Sequence, residues 1–478
     1  MTDQNVTKSP PVVPKPPSGF QTALRYTGIP ESWLNKRPKL PSRNWLIFLS
    51  VTSSIAGYYI YDRRQCKQIR QRYIDLVKDQ AEGLVGPLYA PRKVNVYGAK
   101  WPGDEDYDQA VKYFRKYVKP ILVAAAVDFE MFVGKRHGDI ADRIANEVRL
   151  KRRMDLGVDK LSVYHRALPT YKPPDVARQY ELDGGIVLIG RPTLKEFMAG
   201  LKRGWTEGLE KVDYEEQLAR ELEFDGHFDE PEEPSDELQT FSDASERRSI
   251  PNAQNSPVFS PLQMRPPPPR PPPSSASSTI SDFQNAPPDT IPELPPLLLV
   301  SFTDHIGLSQ VPIMIWEFFN RRHSVRSGAE AAYRLVMKST RPIVPPEFEP
   351  ESIFGDITTT NKPVNQGDLD FDKHVESFYK NSLNKIPAET EKARAKYYEA
   401  LPAKLATARA LARGTREPTK DEIANPPPTE VELAAERMKK ELRWRRDVAG
   451  WEMIKPTQKV VWDERFQDAI RIFTDPSL

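Results

Sequence analysis

The length, charge and composition of the chain exclude several classes of protein. Its 478 residues predict two to four structural units, and a formal charge of +2 gives no global electrostatic reason to bind nucleic acid. Only 38% of the residues are hydrophobic and 47 are proline, so we expect much of the chain to lie outside a packed core. The single cysteine, Cys66, excludes an intramolecular disulfide, a cysteine-based zinc site and a twin-cysteine chaperone fold.

The N-terminal 44 residues predict a disordered arm. They are rich in proline and lysine and lack the Arg- and Ser-rich amphipathic pattern of a matrix-targeting presequence. Prolines between positions 10 and 17 would also prevent an early helix.

Residues 45–61, WLIFLSVTSSIAGYYIY, predict a transmembrane helix because they contain no charge over the minimum length of a span. Aromatic residues lie at both ends, and basic residues flank both sides, so the flanking charge does not determine the orientation. Ser53 and Gly57 have the small-xxx-small spacing that allows close helix contact in a membrane. The alternatives are a buried core helix and, less favoured at this depth in the chain, a cleaved signal peptide.

A charged helical stalk, 62–90, leads to a pattern of alternating strands and helices. This pattern predicts a mostly parallel sheet covered by helices on its faces, which is an α/β fold. The predicted strands are 93–97, 121–127 and 185–190, and the predicted helices are 106–118, 139–153 and 193–203.

Residues 211–294 predict a long disordered insertion. Thirteen acidic residues against two arginines occupy 215–247, and fifteen prolines occupy 251–296. Pro-x-x-P matches within it could bind an SH3-like partner, but so many prolines produce such matches by chance. The apolar run 297–302 then predicts a strand that returns to the same sheet, followed by helices at 309–322 and 326–338.

The C-terminal region 346–478 predicts an irregular segment and then charged helices. One helix would open at Leu401 and Pro402 and end at Gly414, and a capping box of Thr429 and Glu432 would begin another. The expected apolar stripe of that helix is Val431, Ala435, Met438 and Leu442. The complete predicted organisation is an arm (1–44), a transmembrane helix (45–61), a stalk (62–90), two parts of one α/β domain (91–210 and 295–345) separated by an insertion (211–294), and the C-terminal region (346–478).

The stretch YGAKWPGDED, residues 97–106, has two glycines at the spacing of a phosphate-binding loop, but no Lys-Ser/Thr pair follows them. Instead, Asp104, Glu105, Asp106 and Asp108 occupy the predicted helix N-terminus, where their carboxylates would repel a phosphate. We therefore interpret this stretch as a structural turn capped by acidic residues.

Two further stretches contain residues that could form a site. Lys135, Arg136 and His137 precede a predicted helix start and could dock a partner or a lipid head group, whereas the simpler interpretation is a solvated loop with Asp139 as the helix cap. Asp304 and His305 follow a strand, but no Gly-x-Ser-x-Gly elbow accompanies them.

Asp183-Gly184-Gly185 resembles a lipid-kinase loop without the rest of its pattern, and the six histidines show no metal spacing. No catalytic residue, cofactor or metal site is predicted.

Four segments resemble the family of the fungal 54-kDa subunit of the mitochondrial carrier translocase. The longest is KVNVYGAKWPGDEDYDQAVKYFRKYVKPILVAAAVDFEMFVGKRHGDIADRIA at 93–145. The others are PSGFQTALRYTGIP at 17–30, RPTLKEFMAGLKRGW at 191–205 and LLLVSFTDHIGLSQVPIMIWEFFNRRH at 297–323. The placement of the predicted span also resembles this family, whereas the acidic and Pro-rich insertion is a weak part of the match.

The resemblance implies a non-catalytic scaffold in the mitochondrial inner membrane, with its large domain in the intermembrane space. It implies as partners a channel-forming translocase subunit, small hexameric chaperones, carrier precursors in transit and inner-membrane lipid. Two alternatives stay open: a membrane-anchored lipid-modifying enzyme, and a scaffold for another inner-membrane assembly such as a quality-control protease.

Overall fold

A computed structural model describes residues 42–82, 91–159, 173–210, 213–229, 285–345 and 367–476. The predicted arm, the resembling segment 17–30 and most of the predicted insertion lie outside these ranges. The chain divides into two compact units, 1–62 and 63–478, and each is described by itself.

The described part of the first unit is the beginning of helix α1 (Arg43–Glu82). The helix runs through the whole of 45–61, and its apolar side chains there are exposed. The hydroxyls of Ser50, Thr52 and Ser54 donate to carbonyls one turn earlier at 2.8, 2.9 and 2.8 Å, so these polar groups are satisfied within the helix. Ser53 and Gly57 are also exposed, and no atom lies within 4 Å of a Cβ built on Gly57.

The helical prediction for 45–61 is thus confirmed. Across the ranges that the structure covers, however, no helix combines enough length with enough apolar character to cross a bilayer. The membrane span therefore stays a prediction.

The second unit is built on a six-stranded sheet with the order β2-β1-β3-β4-β6-β5. The first five of these strands pair in parallel and only β5 is antiparallel, which confirms the predicted mostly parallel α/β sheet. The strands are β1 (Lys93–Gly98), β2 (Asp128–Val133), β3 (Ile186–Ile189), β4 (Leu297–Val300), β5 (Thr340–Pro342) and β6 (Arg471–Phe473).

Strands β3 and β4 are neighbours although more than 100 residues separate them in the chain. They pair in register from Ile186 opposite Leu297 to Ile189 opposite Val300. Both are short apolar strands in the centre of the sheet, as their continuous hydrophobic runs predict. The chain therefore returns to the same sheet after the acidic and Pro-rich segment.

The helices after α1 are α2 (Gln109–Tyr117), α3 (Lys119–Ala124), α4 (Asp139–Asp155), α5 (Pro174–Gly184), α6 (Gly190–Thr206), α7 (Tyr214–Glu223), α8 (Val311–Phe319), α9 (Arg322–Met337), α10 (Ile386–Ala412), α11 (Lys420–Ala424), α12 (Glu430–Ile454) and α13 (Phe466–Ala469). Short 3-10 helices lie at Leu308–Gln310, Asp368–Asp370, Lys373–Phe378 and Asn381–Lys385.

Two hydrophobic cores cover the two faces of the sheet. One packs α2, α3 and α9 against it, and the other packs α4 and α6. Helices α4 and α6 approach closely because a Cβ at Gly200 would lie 2.4 Å from the Ala141 carbonyl oxygen, and a Cβ at Gly204 would lie 2.7 Å from Val148 Cβ. These two glycines therefore set the depth at which α6 lies.

The predicted stalk packs against the second unit. Within Arg63–Glu82, Cys66 contacts a small cluster that includes Tyr117 and Val325, and Val77 is fully buried in the first core. The prediction that this segment is helical is confirmed, and the structure adds that the helix packs on the domain. A stalk that leads away from the bilayer stays a prediction.

The predicted strand at 121–127 is also wrong. Pro120 lies in the first turn of helix α3, where a proline is compatible with helical structure, and this helix buries Ile121 and Leu122 while Val123 is exposed. The actual strand is β2, and it lies at the edge of the sheet with alternating exposed and half-buried residues. An edge strand does not need a continuous apolar run.

Ordered structure occupies both ends of the predicted insertion. Helix α7 starts at Asp213, whose side chain accepts from two backbone N–H groups, and Asn285 Oδ1 accepts from the Leu209 N–H at 2.7 Å. The predicted boundaries 211 and 294 are therefore too wide.

The C-terminal helices form a hairpin of α10 and α12 around Leu401, Leu405 and Leu433. Helix α10 starts at Ile386 and contains Pro402 in its interior, so the predicted start at Leu401 is wrong. The capping box of Thr429 and Glu432 is confirmed.

The stripe of α12 was predicted as an intramolecular or a partner surface, and it is not the intramolecular one, because the buried face carries charged residues. Its use as a partner surface stays a prediction. Val431 is exposed, whereas Leu433, Arg437 and Glu441 are buried. Glu441 accepts from Arg394 Nε and from the Tyr398 hydroxyl, each at 2.9 Å. These partners on α10 make a polar face suitable for burial.

Candidate functional site at the carboxyl edge of the sheet

Parallel strands end at the same edge of a sheet, and this edge is where α/β proteins place most of their sites. In this protein the segments that follow β1, β2, β3 and β4 meet at the carboxyl edge of the sheet. Two of the predicted stretches, FTDHIG and the turn after β1, come together at this edge, and the loop GKRHGD follows β2 nearby.

The turn after β1 is structural. The Asp104 N–H donates to the Trp101 carbonyl at 3.2 Å, and the Gly103 carbonyl accepts from Lys380 Nζ at 3.0 Å. Helix α2 begins at Gln109, three residues later than predicted. Asp108 takes the N-cap position without a side-chain cap and instead pairs with Lys112 at 2.8 Å.

Two carboxyl groups meet between the first and fourth loops. Burial, together with the hydrogen bond with Asp104 and the charge of Asp104, raises the pKa of Asp304 to about 6. Two carboxyl groups this close favour a shared proton, so the contact links the loops best below neutral pH.

His305 does not act with Asp304 as a catalytic pair. Its Nδ1 lies 3.1 Å from Gln310 Oε1 and its Nε2 lies 3.0 Å from Glu317 Oε1, so both ring nitrogens have partners. The ring therefore holds the start of α8 against the domain.

A buried ion cluster lies at the N-terminus of α6. Glu376 Oε1 lies 2.7 Å from both Arg191 Nε and Lys195 Nζ, and all three side chains are buried. Arg191 also donates to the carbonyls of Leu369 and Phe371, and Lys195 donates to the Lys455 carbonyl at 2.9 Å. These bonds join α6 to two distant segments, because a buried charge requires partners.

The loop of Lys135, Arg136 and His137 is partly accessible. Lys135 and Arg136 are exposed, whereas His137 is half-buried and its pKa is lowered to about 4 by burial and by Lys100. Helix α12 crosses this loop so closely that a Cβ at Gly450 would lie 2.1 Å from the His137 carbonyl oxygen.

The predicted cap of the helix after this loop needs correction. Gly138 is the N-cap of α4, and Asp139 is its first residue. The Asp139 carboxylate accepts from the Arg136 N–H at 2.8 Å, so it stabilises the loop instead of capping the helix.

Glu196 supplies that cap from a different helix. Its carboxyl group is fully buried, and Oε2 accepts from the Ile140 N–H at 3.2 Å at the start of α4. Burial raises the pKa of Glu196 to about 8, with the charges of Asp139 and Asp142 adding to the shift and backbone hydrogen bonds from Gly138 and Ile140 opposing it. The carboxyl group is therefore largely protonated at neutral pH.

Glu196, Lys195 and Glu376 are not predicted as site residues by the sequence pattern. Glu196 and Lys195 lie within the apolar-periodic segment RPTLKEF, where a charged pair in a helix is normally exposed. These charged residues are buried because the first turns of α6 are buried on every side. That burial is visible in the packed structure and not in the sequence.

The polar groups at this edge form hydrogen bonds and ion pairs that hold segments of the chain together. Within the described ranges no three His, Cys, Asp or Glu side chains are grouped so that they could hold a metal ion. The charged groups of the edge pair with one another, and among the residues predicted as a site the basic pair Lys135 and Arg136 stays accessible.

Comparison with known proteins identifies the family. The model of the family described as inner membrane protein import complex subunit Tim54 matches residues 21–467. The mitochondrial import inner membrane translocase subunit TIM54 of Cryptococcus neoformans is 35% identical over 96% of this chain and 95% of its own length.

Two further relatives carry the same name. That of Candida albicans is 30% identical over 69% of this chain and 86% of its own length. That of Aspergillus oryzae is 32% identical over 66% of this chain and 70% of its own length. The chain belongs to the Tim54 family of subunits of the mitochondrial inner-membrane protein import complex.

Proposed function

We propose that this chain is a non-catalytic scaffold in the inner-membrane translocase that inserts multispanning carrier proteins. The observation that carries the proposal is the family match over residues 21–467, which includes the apolar helical stretch 45–61 and all strands of the α/β unit except β6. The α/β unit has the properties of a rigid platform, because buried ion pairs join segments far apart in the chain.

The first unit supplies the anchor in this proposal. Residues 45–61 form a helix with exposed apolar side chains and internally bonded hydroxyls, which suits a lipid environment. In this proposal the large unit faces the intermembrane space, as the resemblance to the family implies. Ser53 and Gly57, both exposed, would contact another membrane helix there.

The second unit supplies the docking surfaces. Lys135 and Arg136 are exposed on a loop that α12 holds in place, so they form a basic contact point on a fixed support. The half-buried His137 supports this loop. The proposed partners are a channel-forming subunit, small hexameric chaperones and the carrier precursors that these chaperones deliver.

Native purification in mild detergent tests this function. Tagged protein from mitochondria should recover a channel-forming translocase subunit and small cysteine-rich chaperones. A Lys135→Glu, Arg136→Glu variant should lose one of these partners by charge reversal. Lys392→Glu, Lys396→Glu, which makes the same charge change on exposed residues of α10, should keep them all.

Recovery of the protein alone, or with enzymes of lipid metabolism, would refute the scaffold function. Equal recovery with both charge-reversal variants would keep the scaffold and eliminate the basic loop as a docking surface.

A further inference from the structure

Helix α8, VPIMIWEFF, exposes apolar side chains to an extent unusual for a soluble surface. Every residue of 311–318 is exposed, including Ile315 at 54% and Trp316 at 66%, and Leu308 just before the helix is 91% exposed. Contiguous apolar surface of this kind marks an interaction site. It lies within the second unit, away from the predicted anchor in the sequence.

The helix is fixed to the domain through Gln310 just before its start and Glu317 near its end, whereas its apolar side chains are exposed. At its start, Gln310 Nε2 donates to the Phe378 carbonyl at 2.9 Å and Gln310 Oε1 accepts from the Ile306 N–H at 3.1 Å. At its end, the buried Asn320 donates to the Trp316 carbonyl at 3.0 Å. The single charged residue, Glu317, contacts His305 of the domain, so the remaining side chains leave the outer surface uncharged.

Cationic groups gather at the end of α8. The guanidinium groups of Arg63 and Arg321 lie 5.5 and 5.3 Å from the centre of the Phe318 ring, and Arg63 also donates to the Phe318 carbonyl at 3.3 Å. Aromatic side chains with arginines beside them are typical of the level of the lipid head groups, and the exposed apolar side chains of α8 could insert below that level.

A cleft beside α8 continues this basic border. Its volume is about 680 Å³, and Met314 and Phe318 of the helix line it together with Lys116 and His323. Further lining groups are Lys112, which pairs with Asp106 and Asp108, Arg321, and the acidic Asp304 and Glu317. Because Lys112 is already paired, Lys116 and Arg321 extend the basic border, and Asp304 and Glu317 match them in number. The attraction for an anionic head group therefore comes mainly from Arg63 and Arg321 beside Phe318.

We infer that α8 is an interfacial helix that inserts its apolar surface into an anionic lipid bilayer. Arg63 follows the predicted span 45–61 by two residues in the sequence, so a membrane holding that span would begin near Arg63 and its contact Phe318. This last step rests on the proposed anchor. The exposed helix and its basic border do not depend on the translocase function.

Site-specific fluorescence on the full chain tests the inference. Replacing the single cysteine, Cys66→Ala, allows an environment-sensitive probe to be attached at Ile315→Cys, with Val431→Cys as the control because Val431 is 80% exposed on α12. Each labelled protein is reconstituted into phosphatidylcholine vesicles with or without phosphatidylglycerol.

The probe at 315 should show a blue-shifted emission that lipid-attached quenchers reduce and aqueous iodide does not. The probe at 431 should keep the emission of a probe in water, and iodide should quench it whereas the lipid-attached quenchers should not. Arg321→Gln should reduce the difference between anionic and neutral vesicles, whereas Arg446→Gln, an exposed arginine of α12, should leave it unchanged.

Iodide quenching at 315 equal to that at 431 would overturn the inference. A probe accessible in vesicles but protected in mitochondria would also overturn it and would assign α8 to a protein partner. Failure of the full chain to associate with vesicles would refute both the anchor and the interfacial helix. The vesicles contain no translocase partner, so none of these results depends on the scaffold function.

Discussion

At the scale of single residues, the buried charges of α6 explain how distant segments are held on the sheet. Glu376 is 185 residues from Arg191 in the chain, and both are buried and in contact. Removing one member of such a cluster leaves unpaired charge in the interior, which costs about 3–5 kcal/mol. The exposed pair of Lys93 and Glu130, at 2.7 Å, contributes less than about 1 kcal/mol.

Glu196 is the residue whose charge state most directly couples stability to pH. Its pKa is about 8 in the folded chain against an ordinary value of 4.5, so folding favours the protonated form. Its contribution is fully present below about pH 4.5 and is lost as pH rises through 8. Glu196→Gln, which is neutral at every pH, should therefore remove this loss.

Denaturation midpoints measured between pH 5 and 9 check this prediction. The parent protein should lose stability relative to Glu196→Gln by an amount on the order of a few kcal/mol at the alkaline end. The exposed Glu105→Gln should follow the parent. Parallel curves for Glu196→Gln and the parent would show that this carboxyl group ionises without cost.

At the scale of elements, Gly450 allows α12 to pack closely against the loop after β2. A Cβ at Gly450 would lie 2.1 Å from the His137 carbonyl oxygen and 2.9 Å from His137 Cβ. The same helix places Ile454 near Lys195, whose ammonium donates to the Lys455 carbonyl. The close packing at Gly450 therefore positions α12 both against the His137 loop and for the hydrogen bond from Lys195.

Gly450→Ala should destabilise the protein, although alanine is the better helix former. The added methyl must displace backbone, and overpacking of this kind costs about 1–3 kcal/mol against a gain of about 1 kcal/mol in helix propensity. Limited proteolysis should cut between α10 and α12 sooner in this variant. The neighbouring exposed Ala449→Ser should show the parent cleavage rate, and an unchanged rate for Gly450→Ala would mean that α12 is free to shift.

At the scale of the whole molecule, one sheet unites segments from nearly the entire described chain. Strand β6 lies between β4 and β5, so residues 471–473 complete the sheet. The C-terminal region is therefore part of the α/β unit and not an appended set of helices. The described residues on both sides of 230–284, in α7 and from Asn285 onward, belong to this unit.

Two deletions distinguish the inserted segment from its ordered borders. Removal of 230–284 should preserve cooperative unfolding, because loop length adds only slowly to closure entropy. Removal of 211–294 should lower stability, because it eliminates α7, the Asn285 contact with Leu209 and the bond from the Leu294 N–H to the Ala469 carbonyl at 2.9 Å. Circular dichroism melting of both proteins checks this difference, and equal midpoints would contradict the narrower boundaries.

The sequence by itself determined the elements whose signals are local. Continuous apolar runs at 185–190 and 297–302 marked central parallel strands, and Thr429 and Glu432 marked a helix start, because burial on both faces and end capping act over a few residues. The resemblance to the translocase family also required only the printed residues.

Only the tertiary structure decided the features that depend on distant partners. Ile121 and Leu122 belong to a helix that packs one side on the sheet. The strand that follows this helix, β2, lies at the edge of the sheet. Glu376, Glu196 and Glu441 are buried because cations or N–H groups far away in the chain meet them. Burial of an ionisable side chain depends on the partners that pack around it and not on the local sequence, so hydrophobic periodicity does not predict it.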